Sequence, residues 1–202
     1  MSETVIIETI IITDGDIEKI FTQVLKWLDH INAAIQEKKP YHISSIHVKK
    51  FCQDNTLYVW SHWNPIYWEK IITIDLMTHS EGVKIHFSIK SVDKPHLFND
   101  IRERWWGLAL LDFMNYMHIH DEPLVKSLYP KKTINKMIND VLLSEVTIAP
   151  LILLTLGISL IYINGINSIG LLLFISSFLF ILPMYIWITK LSKLEDQPFR
   201  LY

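Results

Sequence analysis

The residues best equipped for chemistry in this 202-residue chain are its nine histidines and single cysteine. The densest group is His118-Ile119-His120-Asp121-Glu122, at the expected end of a helix. A zinc site takes three or four converging N, O or S ligands, commonly as two spaced pairs. No second pair accompanies this cluster, and Cys52 has no companion. His118 and His120 are therefore the only metal candidates, and a helix C-terminus favours such cations for its dipole alone. His42, His47, His62 and His86 fall on candidate strands as surface or half-buried residues. No Gly-x-Ser-x-Gly elbow is present, and Gly15, Gly82 and Gly107 are too isolated to cradle a phosphate. The carboxylate pairs Asp14/Asp16 and Asp121/Glu122 read as a cap and a linker. No residue is assigned a catalytic role, and no cofactor is expected.

The elements that would position such groups belong to an α+β domain over residues 1–122. Val5–Thr13 is β-branched and ends at Asp14-Gly15-Asp16. Apolar residues at 17, 20, 21, 24, 27, 28, 31, 34 and 35 predict an amphipathic helix ending at Lys38-Lys39-Pro40. Four antiparallel strands follow, at His42–Phe51, Thr56–Trp63, Ile66–Met77 and Val83–Ile89. Their one-sided alternation suits a sheet with one packed and one wetter face. Tyr58, Trp60, Trp63, Tyr67 and Trp68 crowd the central strands, as core packing or as the lining of an apolar site.

A long helix is predicted from Pro95 to His118. From Trp105 onward it is apolar nearly all round, and such a helix must be covered on every side. A sheet covers one. Trp105, Trp106, Leu110, Phe113 and Met117 are thus expected to meet a partner subunit or the membrane surface. The order strand, helix, four strands, long helix resembles the helix-grip arrangement of the START and Bet v 1-like lipid-binding superfamily, and also one half of the TATA-binding fold. The resemblance implies an apolar pocket between the sheet and the last helix.

Beyond a linker and juxtamembrane helix at 123–145, the chain changes character. Half of all residues are apolar, and the excess lies in 44 consecutive uncharged positions between Glu145 and Lys190. Asn164-Gly165-Ile166-Asn167-Ser168 divides this run into 146–163 and 169–188. A bilayer core about 30 Å thick needs roughly 20 helical residues, so each half is predicted to cross it. Tyr162, Tyr185 and Trp187 fit interfacial aromatic belts. Lys131, Lys132 and Lys136 precede the hairpin and Lys190 and Lys193 follow it, while the loop is uncharged. The positive-inside rule then places both termini, including the tail 190–202, in the cytoplasm. Glu8 interrupts the first apolar run and no basic region precedes it, so no secretory signal is expected.

Charge narrows the function further. Residues 1–130 hold 13 basic and 17 acidic groups, a net of −4, whereas nucleic-acid binding needs a basic excess. The spans contain no ionisable group other than tyrosine, which argues against a pump or transporter acting alone. The expected protein is a non-catalytic integral membrane protein, an accessory or assembly subunit of a membrane complex. Its partners would be membrane lipids, other membrane-protein subunits or a second copy of itself. The alternative is a membrane-tethered helix-grip domain holding a lipid or other apolar ligand.

Overall fold

The first strand, β1 (Thr4–Thr13), ends where Asp16 adopts extended backbone and caps the helix that follows. Its carboxylate accepts from the amides of Glu18 and Lys19 at 2.9 and 3.2 Å, satisfying two of the otherwise orphaned donors of helix α1 (Ile17–His30). Ile20, Val24, Trp27 and Leu28 make the buried face of α1. The computed structural model describes residues 4–47, 69–91, 99–142, 145–165 and 168–194, the side chains at 99, 145–149, 179, 180, 183 and 187 excepted.

Helix α1 stops earlier than its apolar spacing predicts. Asn32 takes φ 55°, and the amides of Asn32 and Ala33 return to the carbonyls of Asp29 and Leu28 at 2.9 and 2.8 Å. This is a Schellman close, in which asparagine substitutes for glycine in the left-handed position. Ala34 and Ile35 fall in phase with the helix face, yet Ala34–Lys39 forms strand β2. Pro40 and Tyr41 turn the chain into β3 (His42–His47), with Tyr41 at φ 61°. Strands β4 (Lys70–His79) and β5 (Gly82–Ser91) form the second hairpin. The expected strand Thr56–Trp63, the aromatics Tyr58, Trp60, Trp63, Tyr67 and Trp68, and Cys52 and His62 lie outside the described residues.

The five strands make one antiparallel sheet in the order β1-β5-β4-β3-β2. The architecture is α+β. Its inner face is built in rows across the strands: Thr9, Phe87, Ile74 and Ile43, then Ile7, Ile89, Ile72 and Ser45. Helix α2 (Asn99–Tyr116) supplies Trp105, Trp106, Leu108, Leu110, Leu111 and Phe113 to the buried set. Phe113 lies 5.0 Å from the Trp27 ring and 5.1 Å from the Phe87 ring, centroid to centroid. Each such ring pair adds about 0.5–1.5 kcal/mol beyond area burial. The indole N–H of Trp27 donates to Asp112 Oδ2 at 2.9 Å, tying α1 to α2. Gly82, at φ 130°, closes the β4–β5 turn where a Cβ would overlap the backbone carbonyl of Thr13.

The chain divides into two compact units, residues 1–125 and 126–202. Helix α3 (Glu122–Leu128) joins them, its first turn capped by Asp121, which accepts from the Leu124 amide at 2.9 Å. The second unit continues with α4 (Lys131–Leu142), α5 (Glu145–Asn164) and α6 (Ser168–Ser192). Helices α5 and α6 pack closely at Gly157, where a Cβ would stand 2.8 Å from the Phe174 amide nitrogen and 3.1 Å from the Gly170 oxygen. The small residue sets the spacing. Among the described residues no helix is long and apolar enough to cross a membrane.

Candidate functional site

Apart from Thr9 and Ser45, the inner face of the sheet is apolar until its last row. There His47 on β3 pairs with Lys70 on β4, and Lys70 pairs with Ser91 on β5. Lys70 is in phase with Ile72, Ile74 and Leu76, and Ser91 with Phe87 and Ile89, so pleat alternation turns these polar groups toward the core. Both are fully buried. Helix α2 adds Arg102 and Trp106, one turn apart on one helix face. The Lys70 ammonium lies 5.6 Å and the Arg102 guanidinium 5.9 Å from the Trp106 ring centroid. One indole therefore serves two cations, both in cation–π range.

Burial sets the electrostatics here. Lys70 is 1% exposed, and desolvation pushes its ammonium down to about 7. His47 is held down to about 3, first by burial and second by the Lys70 charge, with a hydrogen bond to the Ile31 backbone opposing them. His47 Nδ1 is buried and has no hydrogen-bond partner among the described residues. The imidazole is therefore neutral.

The outer face carries a different row. His42, Asp75 and His86 stand in register on β3, β4 and β5. His42 Nδ1–H donates to Asp75 at 2.5 Å, and His86 Nε2–H donates to Glu8 of β1 at 2.8 Å. Glu37 of β2 lies 3.8 Å from His42 and also pairs with Lys39. Acids and imidazoles thus alternate across all five strands. They bond in pairs along the row, and no group of three that could hold a metal ion occurs among the described residues.

The residues singled out from the sequence are placed as follows. Trp105, Trp106, Leu110, Phe113 and Met117 are all buried within the chain; the surface they were expected to offer a partner or membrane is not presented. A partner was inferred because one sheet face covers one helix face, but the chain itself covers the rest. His118 and His120 are exposed, and His118 at φ 55° closes α2 in a second Schellman motif. There its amide bonds to Asn115, and the Ile119 amide to Met114. A backbone role accounts for His118. Lys131, Lys132, Lys136, Lys190 and Lys193 are exposed, as are Tyr162 and Tyr185; the Trp187 side chain lies outside the described residues. Sequence reasoning passed over Lys70, Ser91 and Arg102. The signal was parity, since a lysine occupied an inward position of an otherwise apolar alternation.

Between the sheet and α2, the middle is occupied by Trp27, Phe87 and Phe113. The polar groups therefore collect at one end, where the strands begin and finish. Comparison with protein-family models, with curated proteins and with solved structures yields no match in any of the three.

Proposed function

We propose that the chain is an integral membrane protein anchored by the α5–α6 hairpin, with both termini cytoplasmic. It acts as a non-catalytic accessory or assembly subunit whose α+β unit binds a partner. The observation that carries this reading is the outward surface of the hairpin. Ten Leu, Ile and Phe side chains on α5 and α6 are between 50% and 74% exposed, among them Leu156, Ile163, Leu172, Ile175 and Leu182. Removing a large apolar side chain fully from water is worth about 1.5–3 kcal/mol. Half of that over ten residues is roughly 8–15 kcal/mol, comparable to the whole stability of a domain. Isolated surface leucines need no explanation, but a belt of this size marks a surface that meets lipid or protein.

Charge and flanks support the same reading. No charged residue lies between Glu145 and Lys190. Exposed lysines stand on both flanks, and Tyr162 is 90% exposed at the loop end. The alternative of an apolar ligand held between sheet and α2 has less room, because three rings already fill the middle.

The test is fractionation followed by native mass measurement. The full chain should stay with membranes through an alkaline carbonate wash and then leave them in mild detergent together with a second protein. Release by carbonate overturns the anchor; a strictly monomeric, partner-free species in mild detergent overturns the subunit role.

A further inference from the structure

The two edges of the sheet are built differently. The order β1-β5-β4-β3-β2 leaves one side of β1 and one side of β2 without a neighbouring strand among the described residues. Such edges accept further strands, and shortness, bulges, charges and proline blunt them. Edge β2 has all four: six residues, a register break between Ile35 and Glu37, charges at Glu37, Lys38 and Lys39, and Pro40 directly after. Edge β1 has ten residues, of which six are Ile or Val and one, Glu8, is charged. That carboxylate is engaged by His86 of β5 at 2.8 Å. The register break in β1 falls near its start, between Val5 and Ile7, and Ile7–Thr13 then follows β5 without interruption. Val5, Ile10 and Ile12 stand out from the sheet, Ile10 with 54% of its surface exposed.

We propose that β1 is a self-docking edge: two copies of this chain pair β1 against β1, antiparallel, about a two-fold axis at Ile10, so that two five-stranded sheets become one. This names the partner of the α+β unit and rests, for that unit's binding role, on the function proposed above. Pleat parity restricts the pairing. Residues opposite one another in an antiparallel pair lie on the same face, so the axis passes through a residue and not between two. Ile10 is the midpoint of the uninterrupted segment Ile7–Thr13. An axis there uses every regular residue, and seven residues a side give roughly six to eight main-chain hydrogen bonds. Ile10 then meets its equivalent, Thr9 meets Ile11, Glu8 meets Ile12 and Ile7 meets Thr13. An axis at Glu8 would set two carboxylates face to face, and one at Thr9 would make them diagonal neighbours. At Ile10 they stand about 13 Å apart along the strands. A second copy is singled out by this self-complementarity: it brings an edge of equal length that opposes no like charges.

In membranes, the full chain carrying Ile10→Cys should form a disulfide-linked dimer under mild oxidation, because opposite Cβ atoms lie about 4.5–5.5 Å apart. Ile12→Cys should not, because its equivalents would lie about 13 Å apart. The mass of the linked peptides tells a bond between two position-10 thiols from one through Cys52. In mild detergent, native mass measurement should give a dimer. Ile10→Lys opposes two ammonium groups at the axis and should weaken that dimer at least about tenfold. The Ile10 side chain is exposed in one copy, so a lysine there leaves its own sheet intact, and the urea midpoint of the variant checks this independently.

Linking at position 10 with none at position 12, together with a dimer that Ile10→Lys dissociates, assigns the edge. Equal linking at both positions, or a dimer indifferent to Ile10→Lys, overturns the proposal. A chain without a second copy also overturns it, and whether a different protein accompanies that chain decides the subunit role separately. Ile10→Lys should stay with membranes through the carbonate wash, so failure of the anchor is read apart from failure of the edge.

Discussion

Lys70→Met should stabilise this protein, and by an amount that depends on pH. The side chain is 1% exposed and desolvation lowers its ammonium from 10.5 to about 7. Between those values the unfolded chain holds a proton that the folded chain has released, so stability rises with pH across the window. Below pH 7 both states are charged and the full penalty applies. A shift of about 3.5 units at 1.36 kcal/mol each sets that penalty at about 5 kcal/mol. From pH 7 to 9 the wild type should gain about 1 kcal/mol per pH unit from this group alone. Methionine keeps most of the stem volume and removes the charge. Urea unfolding of wild type and variant in the same detergent, at pH 6, 7, 8 and 9, reads the difference directly. Lys70→Met should be more stable at pH 6 by several kcal/mol, with the gap closing toward pH 10. A variant less stable than wild type at pH 6, or a gap independent of pH, would refute the reasoning, because it would mean that buried charge is net stabilising.

Three further outcomes follow from the geometry. Gly82→Ala should destabilise the first unit by at least about 2 kcal/mol, since φ 130° suits only glycine and the methyl would overlap the Thr13 carbonyl; a urea midpoint within error of wild type would contradict it. Gly157→Leu should loosen the hairpin, because its Cβ would lie 2.8 Å from the Phe174 amide nitrogen. Spin labels on α5 and α6 should report a separation increase of about 1–2 Å or more, set by one added side-chain layer. Asp112 is raised above the usual carboxylate range by burial, opposed by the Trp27 hydrogen bond and the nearby His30. A raised carboxyl contributes stability at low pH and loses it as pH rises through its folded value. Asp112→Asn keeps an acceptor for the Trp27 indole, so it should match wild type near pH 3 and exceed it modestly at pH 7 in thermal melts.

Much of the fold was readable because it rests on local chemistry. The alternation in β4 and β5, the Asp16 cap and the apolar face of α1 follow from residue type and spacing. What spacing alone missed was competition between periods. Ala34 and Ile35 extend the α1 pattern, and only the left-handed Asn32 tells the chain to leave the helix. The all-round apolar surface of α2 was visible, yet what covers it is a property of the whole chain, and Trp105 and Phe113 proved buried. The basic end was hidden for a related reason. A lysine is read as surface by type, while its inward parity becomes meaningful only once β3 and β5 flank β4.

By itself, the amino-acid sequence determined β1, the alternating strands β4 and β5, the start of α1 with its cap, and the 44-residue uncharged run with its basic flanks. These depend on neighbours a few positions apart. Tertiary structure alone decided which residues share a row. It paired β1 with β5, placed His47, Lys70 and Ser91 side by side, and set Arg102 and Lys70 around one indole. Residues 47, 70, 91 and 102 are far apart along the chain, and no local preference encodes their meeting. What brings them together is the burial of the apolar rows beside them.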